Sequence, residues 1–253
     1  MNKDKYKNMN TRPSKHREIY DRLDIKNREF SGYGEDDDYE IYQEGLEHEK
    51  SEPAGPLSRL PQLKFSKPAI ISFILFFVAS ILSRETDFGG MLLASGDAVF
   101  RHQEYWRLLT SLFVHADIIH LLSNTLFFLI FGWLLRAYFG FIVFPVASIL
   151  TGIISSIIAL YFYNPHVKLI GASGMVYGMV ALWLVFYIRY DIAHRVPVRI
   201  FRAFGFALVM LIPTTLHPMT SYSSHAAGFI TGICLALLLL PFVKVKLLDA
   251  NDE

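Results

Sequence analysis

The sequence predicts an all-α membrane protein, a six-helix bundle behind a polar N-terminal tail, and two observations carry that prediction. Of its 253 residues, 53% are hydrophobic, and these crowd into the region after about Ala69 in the way that a membrane chain, and not a soluble one, distributes them. Six apolar segments follow one another, at about 69–83, 119–138, 141–163, 171–189, 200–217 and 223–243, most with the roughly 17–25 residues that a spanning helix needs. The first is short unless it begins near Leu63. The stretch from Arg84 to Ile118 is long, amphipathic and aromatic, and is expected to be a loop lying in the membrane interface.

The remaining composition excludes several classes. A net charge of +1 gives no electrostatic case for nucleic acid, because the basic residues flank apolar runs. The single cysteine, Cys234, lies inside an apolar run, which rules out an internal disulfide and argues against a cysteine metal cluster. Residues 1–62 read as a polar cytoplasmic tail with an acidic run, Glu35-Asp36-Asp37-Asp38, and a Pro/Gly-containing linker from Ser51 to Pro61. The helical domain is expected over 63–247 and a short C-terminal tail over 248–253.

Orientation follows from the cations. Lys64 and Lys67 precede the first segment, Arg189, Arg195, Arg199 and Arg202 surround the fourth connection, and Lys244 and Lys246 follow the sixth. These flanks are expected on the cytoplasmic side, which puts both termini inside. Lys168 and Arg101, on outer loops, run against that count without reversing it. No apolar h-region stands near the start, and acids are frequent in the first forty residues, unlike a transit peptide, which favours a bacterial cytoplasmic membrane, with a eukaryotic secretory membrane as the alternative.

In this topology every even-numbered helix enters from the outer face, and the polar residues singled out as candidates for chemistry fall in the first turns of those helices. They are His120 and Asn124 in the second, Ser173 and Tyr177 in the fourth, and His225 in the sixth. With a rise of about 1.5 Å per residue, all five belong to one layer below the outer surface. Gly171-Ala172-Ser173-Gly174 is a GxSG arrangement at a helix start, where free backbone N–H groups suit a developing oxyanion. The same glycines serve close packing equally well, and a serine there can equally be an N-cap.

Ser224-His225-Ala226-Ala227-Gly228, with Gly232 beyond it, forms a small-residue stripe that matches Gly174 and Gly178 on the fourth helix. Contact between the stripes would bring His225 to Ser173 as a general base. The competing role for His225 is a structural hydrogen bond. Asp191 is the one acid between Gly140 and Lys246, on the cytoplasmic side, so a Ser–His dyad fits better than a triad. Tyr177, one turn below Ser173, can pack against the imidazole or simply fill a helix interface. His120 and Asn124 share a helix face and can donate to an oxyanion. Metal binding by His115 and His120 would need a third ligand, and no carboxylate shares their face. His166, His194 and His217 read as surface or interface residues.

Taken together, these residues resemble the rhomboid family of intramembrane serine proteases. Four motifs carry the resemblance in order: Tyr105-Trp106-Arg107, His120-Leu-Leu-Ser-Asn124, Gly171-Ala-Ser173-Gly174 with Tyr177, and His225-Ala-Ala-Gly228. The resemblance implies a six-helix rhomboid-like bundle with Ser173 as nucleophile, His225 as base, and His120, Asn124, Gly171 and the Ser173 N–H around the oxyanion. It also implies supporting roles for Tyr177, Gly174, Gly228, Trp106 and Arg107, no metal or cofactor, and membrane-spanning protein substrates met among lipids past a short cap, Pro218 to Tyr222. Arg136, where rhomboids often have a glutamate, and Ser224 depart from the pattern. The alternative is a catalytically inactive rhomboid-like protein that binds membrane clients. A transporter would place paired ionisable residues across the midplane and show repeated halves, and neither is visible here.

Overall fold

The computed structural model describes Leu57 and residues 67–85, 87–215 and 221–245. The chain divides into two units, Met1–Ala54 and Gly55–Glu253, and every described residue belongs to the second. Apart from Leu57, the expected N-terminal tail lies outside the described residues, as do the C-terminal tail, His217 and the cap residues from Pro218 to Thr220.

Helices stand at each apolar segment: α1 (Lys67–Glu85), α2 (Ile118–Phe139), α3 (Ser148–Phe162), α4 (Ser173–Tyr190), α5 (Val196–Thr215) and α6 (Tyr222–Leu239). A wider helical turn, Ile142–Ala147, leads into α3. Four of the helical stretches are long and apolar enough to cross a membrane by length and composition: Ile118–Phe139, Ile142–Phe162, Ser173–Tyr190 and Tyr222–Leu239. The chain is therefore an integral membrane protein built of helices.

Local chemistry sets the helix ends. The Asp117 carboxylate accepts from the His120 N–H at 2.8 Å and caps α2, and Gly140, at φ 84°, stops it. The Ser221 hydroxyl accepts from the Ser224 N–H at 3.3 Å at the start of α6. Helix α5 begins at Val196, earlier than the apolar pattern indicates. Arg199 sits in its first turn and donates to the His194 carbonyl and, at 3.1 Å, to the Ile188 carbonyl near the end of α4. A cation placed on those carbonyls is stabilised by the C-terminal end of the helix dipole, so a residue type read as a flank lies within the helix.

The stretch between α1 and α2 is folded where a plain interfacial loop was expected. It runs through the turns Asp87–Leu92 and Asp97–Arg101, a helical turn Arg107–Thr110 and a tighter turn Ser111–Phe113. A two-residue strand, β1 (Ala94–Ser95), pairs antiparallel with β2 (Lys168–Leu169), Ala94 opposite Leu169 and Ser95 opposite Lys168. Ala94, Val99, Leu108, Ala159, Leu160 and Leu169 make a small core of their own beneath it. Burying that apolar surface is what turns the loop into a lid of defined shape over the α3 and α4 ends.

Helix α4 is the most enclosed of the candidate spans, with 61% of its window buried against 39% for α2 and for α6. Met179, Leu182 and Phe186 are fully buried in the main core with Phe131, Leu135 and Val143. Three polar residues of α3 that are buried here satisfy themselves locally. Ser148 donates to the Val143 carbonyl at 2.9 Å, Thr151 to Ser148 at 2.7 Å and Ser155 to Gly152 at 2.8 Å, as an apolar surrounding requires.

Small residues decide how close α4 and α6 come. A Cβ on Gly228 would fall onto the Gly174 carbonyl oxygen, and one on Gly232 would fall onto the Gly178 carbonyl oxygen and lie 2.8 Å from the Ala181 Cβ. The two backbones are in direct contact along this stripe. Gly232→Val is expected to destabilise the fold by about 1–3 kcal/mol, the usual cost of overpacking. Gly205→Ala, where a Cβ meets no atom within 4 Å, should leave stability unchanged or slightly raised. Thermal unfolding of the purified protein in detergent measures both.

Candidate active site

The site is built at the α4 start. Gly171, at φ +103°, turns the chain into the helix, a conformation that a side chain would strain. The space is closed as well, because a Cβ there would lie 2.6 Å from Cε1 of His120. Ala172 occupies the N-cap position with no side-chain cap, and Ser173 is the first helical residue. The N-cap role open to Ser173 from its sequence is therefore not the one it has. The first N–H groups of α4 are left without a side-chain partner from the cap, as an anion-receiving helix start needs.

One turn further, Tyr177 is buried and its ring stacks on the His225 imidazole, with centroids 4.0 Å apart and planes 20° from parallel. Residues 173 and 177 lie one above the other on α4. The stack therefore places His225 beside the serine turn. Gly174 against Gly228 sets the spacing. His225 is 6% exposed, and its Nδ1 is buried with no hydrogen-bond partner among the described residues. Its backbone N–H donates to the Ser221 carbonyl at 3.0 Å, and the Ser221 hydroxyl lies 2.8 Å from the Tyr163 hydroxyl at the end of α3.

Helix α2 contributes the next side of the site. His120 packs on Gly171, and Asn124, buried, donates from Nδ2 to the His120 carbonyl at 3.1 Å. Part of the Asn124 amide thus serves its own helix.

Trp106 and Arg107 lie in the lid and not at the site. Trp106 is exposed. Arg107 pairs with Glu104 and donates to the carbonyls of Gly90 at 2.8 Å and Leu93 at 3.1 Å, which holds the folded loop together. Four residues later, the Ser111 carbonyl accepts from the Gly171 N–H at 2.9 Å, so the lid reaches the serine turn directly. Arg136, at the far end of α2, sits over the Phe141 ring at 5.2 Å from its centroid. Asp191 lies at the opposite end of α4 from Ser173 and pairs with His194 at 2.9 Å, whose other ring nitrogen meets Arg202 at 2.7 Å.

One residue at the site was set aside by the sequence reading. His115, 1% exposed, accepts the Ala172 N–H at Nε2 at 3.5 Å, with its ring centroid 5.2 Å from that of His120. Its spacing from His120 drew attention only to a metal. A buried backbone amide in the turn before Ser173 is invisible in a sequence until the fold presents it.

A family model described as the Rhomboid domain matches residues 102–242, more than half of the chain. The chain belongs to the rhomboid family. Relatives include RHOMBOID-like protein 6, mitochondrial, of Arabidopsis thaliana, 30% identical over 142 residues that cover 56% of this chain and 46% of that protein. RHOMBOID-like protein 2 of the same plant is 32% identical over 150 residues, 56% of this chain and 44% of that one. Inactive rhomboid protein 1 of Danio rerio is 28% identical over 146 residues, 58% of this chain and 17% of that one. The matched stretch thus spans less than half the length of these rhomboid relatives. They are plant and animal proteins, so they lend no weight to the bacterial membrane expected from the N-terminal composition.

Burial first, and the neighbouring His120 second, push the His115 imidazole from 6.5 down to about 3, against a smaller upward pull from the Phe113 backbone and Asp117. An opened loop takes up a proton that the closed loop refuses. The stabilisation is present in full above about pH 6.5 and is lost as pH falls through the interval toward about 3. The thermal midpoint of the protein is expected to decline across that interval, and His115→Gln to flatten the decline. A parent curve that stays level from neutrality to about pH 4 would contradict this assignment.

Proposed function

We propose that this rhomboid-family chain is an intramembrane serine endopeptidase that cuts membrane-spanning proteins near the outer membrane face. The observation that carries the reading is the Tyr177–His225 stack, which puts an imidazole next to the turn bearing Ser173. In the proposed reaction His225 Nε2 takes the Ser173 hydroxyl proton as Oγ attacks the scissile carbonyl, and the resulting imidazolium then protonates the leaving amine. The acyl-enzyme is hydrolysed by water activated the same way. The oxyanion is received by the Ser173 N–H at the α4 start, with the His120 and Asn124 side chains and the Gly171 turn around it.

A dyad suits the surroundings of His225. No carboxylate contacts its Nδ1 among the described residues, and the stacked Tyr177 ring holds the imidazole plane in place of an orienting acid. Gly174 and Gly228 act by allowing the approach of α4 to α6, and Trp106 and Arg107 by keeping the lid folded. No step calls for a metal or cofactor, nor for nucleic acid.

The remaining architecture is proposed on the same footing. Helices α1 and α5 join the four apolar stretches as spans, giving a six-helix membrane domain over 63–247 with both termini in the cytoplasm, a cytoplasmic tail over 1–62 and a short one over 248–253. The cations flanking α1, α5 and α6 support this orientation. A second reading, client binding without cleavage, is favoured by one observation, that some relatives are named inactive rhomboid proteins.

Cleavage of a model single-span substrate in liposomes separates the two readings. The parent is expected to cut, and Ser173→Ala and His225→Ala to lose activity by about 10⁴-fold or more. Tyr177→Phe, which keeps the stacked ring, should retain most activity, and Tyr177→Ala should not. A parent no faster than Ser173→Ala, with substrate still captured, would establish the client-binding reading instead.

A further inference from the structure

The search for unused chemistry leads to the buried polar group behind the serine turn. Two consecutive backbone amides of that turn, those of Gly171 and Ala172, are held by one short segment of the lid. The Gly171 N–H donates to the Ser111 carbonyl at 2.9 Å, and the Ala172 N–H donates to His115 Nε2 at 3.5 Å. Because the amide can only donate, Nε2 must be the accepting nitrogen and the ring proton sits on Nδ1.

That nitrogen faces the Ser80 hydroxyl of α1 at 3.4 Å. The Ser80 hydroxyl donates to the Phe76 carbonyl at 2.7 Å and accepts from the His115 backbone N–H at 3.0 Å. The Phe113 carbonyl also lies 3.4 Å from the Ser80 hydroxyl, farther than the Phe76 carbonyl that takes its one O–H. The serine has one O–H to give and two lone pairs to receive the histidine's two N–H groups, and the histidine has one lone pair left for Ala172. Ser80 and His115 are both buried, and rings of Phe76 and His120 flank the imidazole at 5.3 and 5.2 Å between centroids.

We propose that His115, braced by Ser80 of α1, is a positioning residue that orients the turn before Ser173 by holding the Ala172 N–H. Its catalytic consequence rests on the protease reading above. The peptide planes of Gly171 and Ala172 fix the direction of the next N–H, that of Ser173, which has to point at the developing oxyanion. Ala172 is fully buried, so without an acceptor at 115 its N–H has no water to turn to, and the turn rotates to find another partner. Helix α1, which carries none of the proposed catalytic side chains, thereby acts on the site through Ser80. The neutral state of His115 agrees with this role, since a proton on Nε2 would set donor against donor.

The test uses the full chain in detergent with three variants, His115→Ala, His115→Gln and Ser80→Ala. A glutamine keeps an acceptor oxygen for Ala172 and an N–H for Ser80. Expected for His115→Ala is a loss of about 10²-fold in kcat, the scale of one misplaced oxyanion donor, with KM little changed. Labelling of Ser173 by a fluorophosphonate should slow with it, and amide hydrogen exchange in peptides spanning residues 170–174 should quicken. His115→Gln should restore all three, and Ser80→Ala should fall between.

The proposal is overturned by exchange at 170–174 equal to that of the parent in His115→Ala, or by a glutamine variant as impaired as alanine although its thermal midpoint matches the parent's. If His115→Ala does not fold, the glutamine and Ser80 variants decide on the same readouts. If the parent neither cleaves nor labels, the protease reading falls, and the exchange comparison still decides whether His115 holds the turn.

Discussion

Backbone contact between α4 and α6 is the constraint on which the rest of the structure depends. Gly174 meets Gly228 and Gly178 meets Gly232 with no room for a Cβ, so the two helices touch main chain to main chain. In a bilayer there is no hydrophobic gain from bringing apolar helices together, and close packing of small residues supplies the attraction. With larger residues along the stripe, Tyr177 could not lie at 4.0 Å over the His225 ring. The stack, the proposed dyad and the depth of the site all follow from that spacing.

The two ends of the bundle are divided by task. At one end the starts of α2, α4 and α6 meet: His120 lies against Gly171 and His225 against Tyr177, and the folded loop that Arg107 pins reaches the Gly171 amide. At the other end Asp191, His194, Arg199 and Arg202 tie α4 to α5 through a mesh of charged and carbonyl contacts. An α4 of 18 residues is about 27 Å long. Asp191, the one acid between Gly140 and Lys246, is thus held a full helix length from Ser173, where it pairs with His194.

Family membership alone does not establish activity, since some of the relatives that this chain resembles are named inactive rhomboid proteins. The lid matters here as much as the helices. Its segment 111–115 supplies acceptors to two amides of the serine turn, so the stretch that looks least structural by composition carries part of the geometry of the candidate site.

Much of this was legible in the residues. Apolar length marked each helix to within a few positions, and the first turns of α2, α4 and α6 already held the five polar residues of the candidate site, of which Tyr177 and His225 are seen to stack. The folded lid, the early start of α5 and the place of His115 were not legible. Each depends on partners distant in the chain: Leu169 pairs with Ala94, Arg199 reaches Ile188, and His115 joins Ser80 to Ala172. By itself the sequence determined which segments can leave water, because hydrophobic length is a property of a segment alone. Tertiary structure decided which backbones touch and where each polar atom finds its partner, because those depend on the shape of surfaces that meet only after the helices have packed.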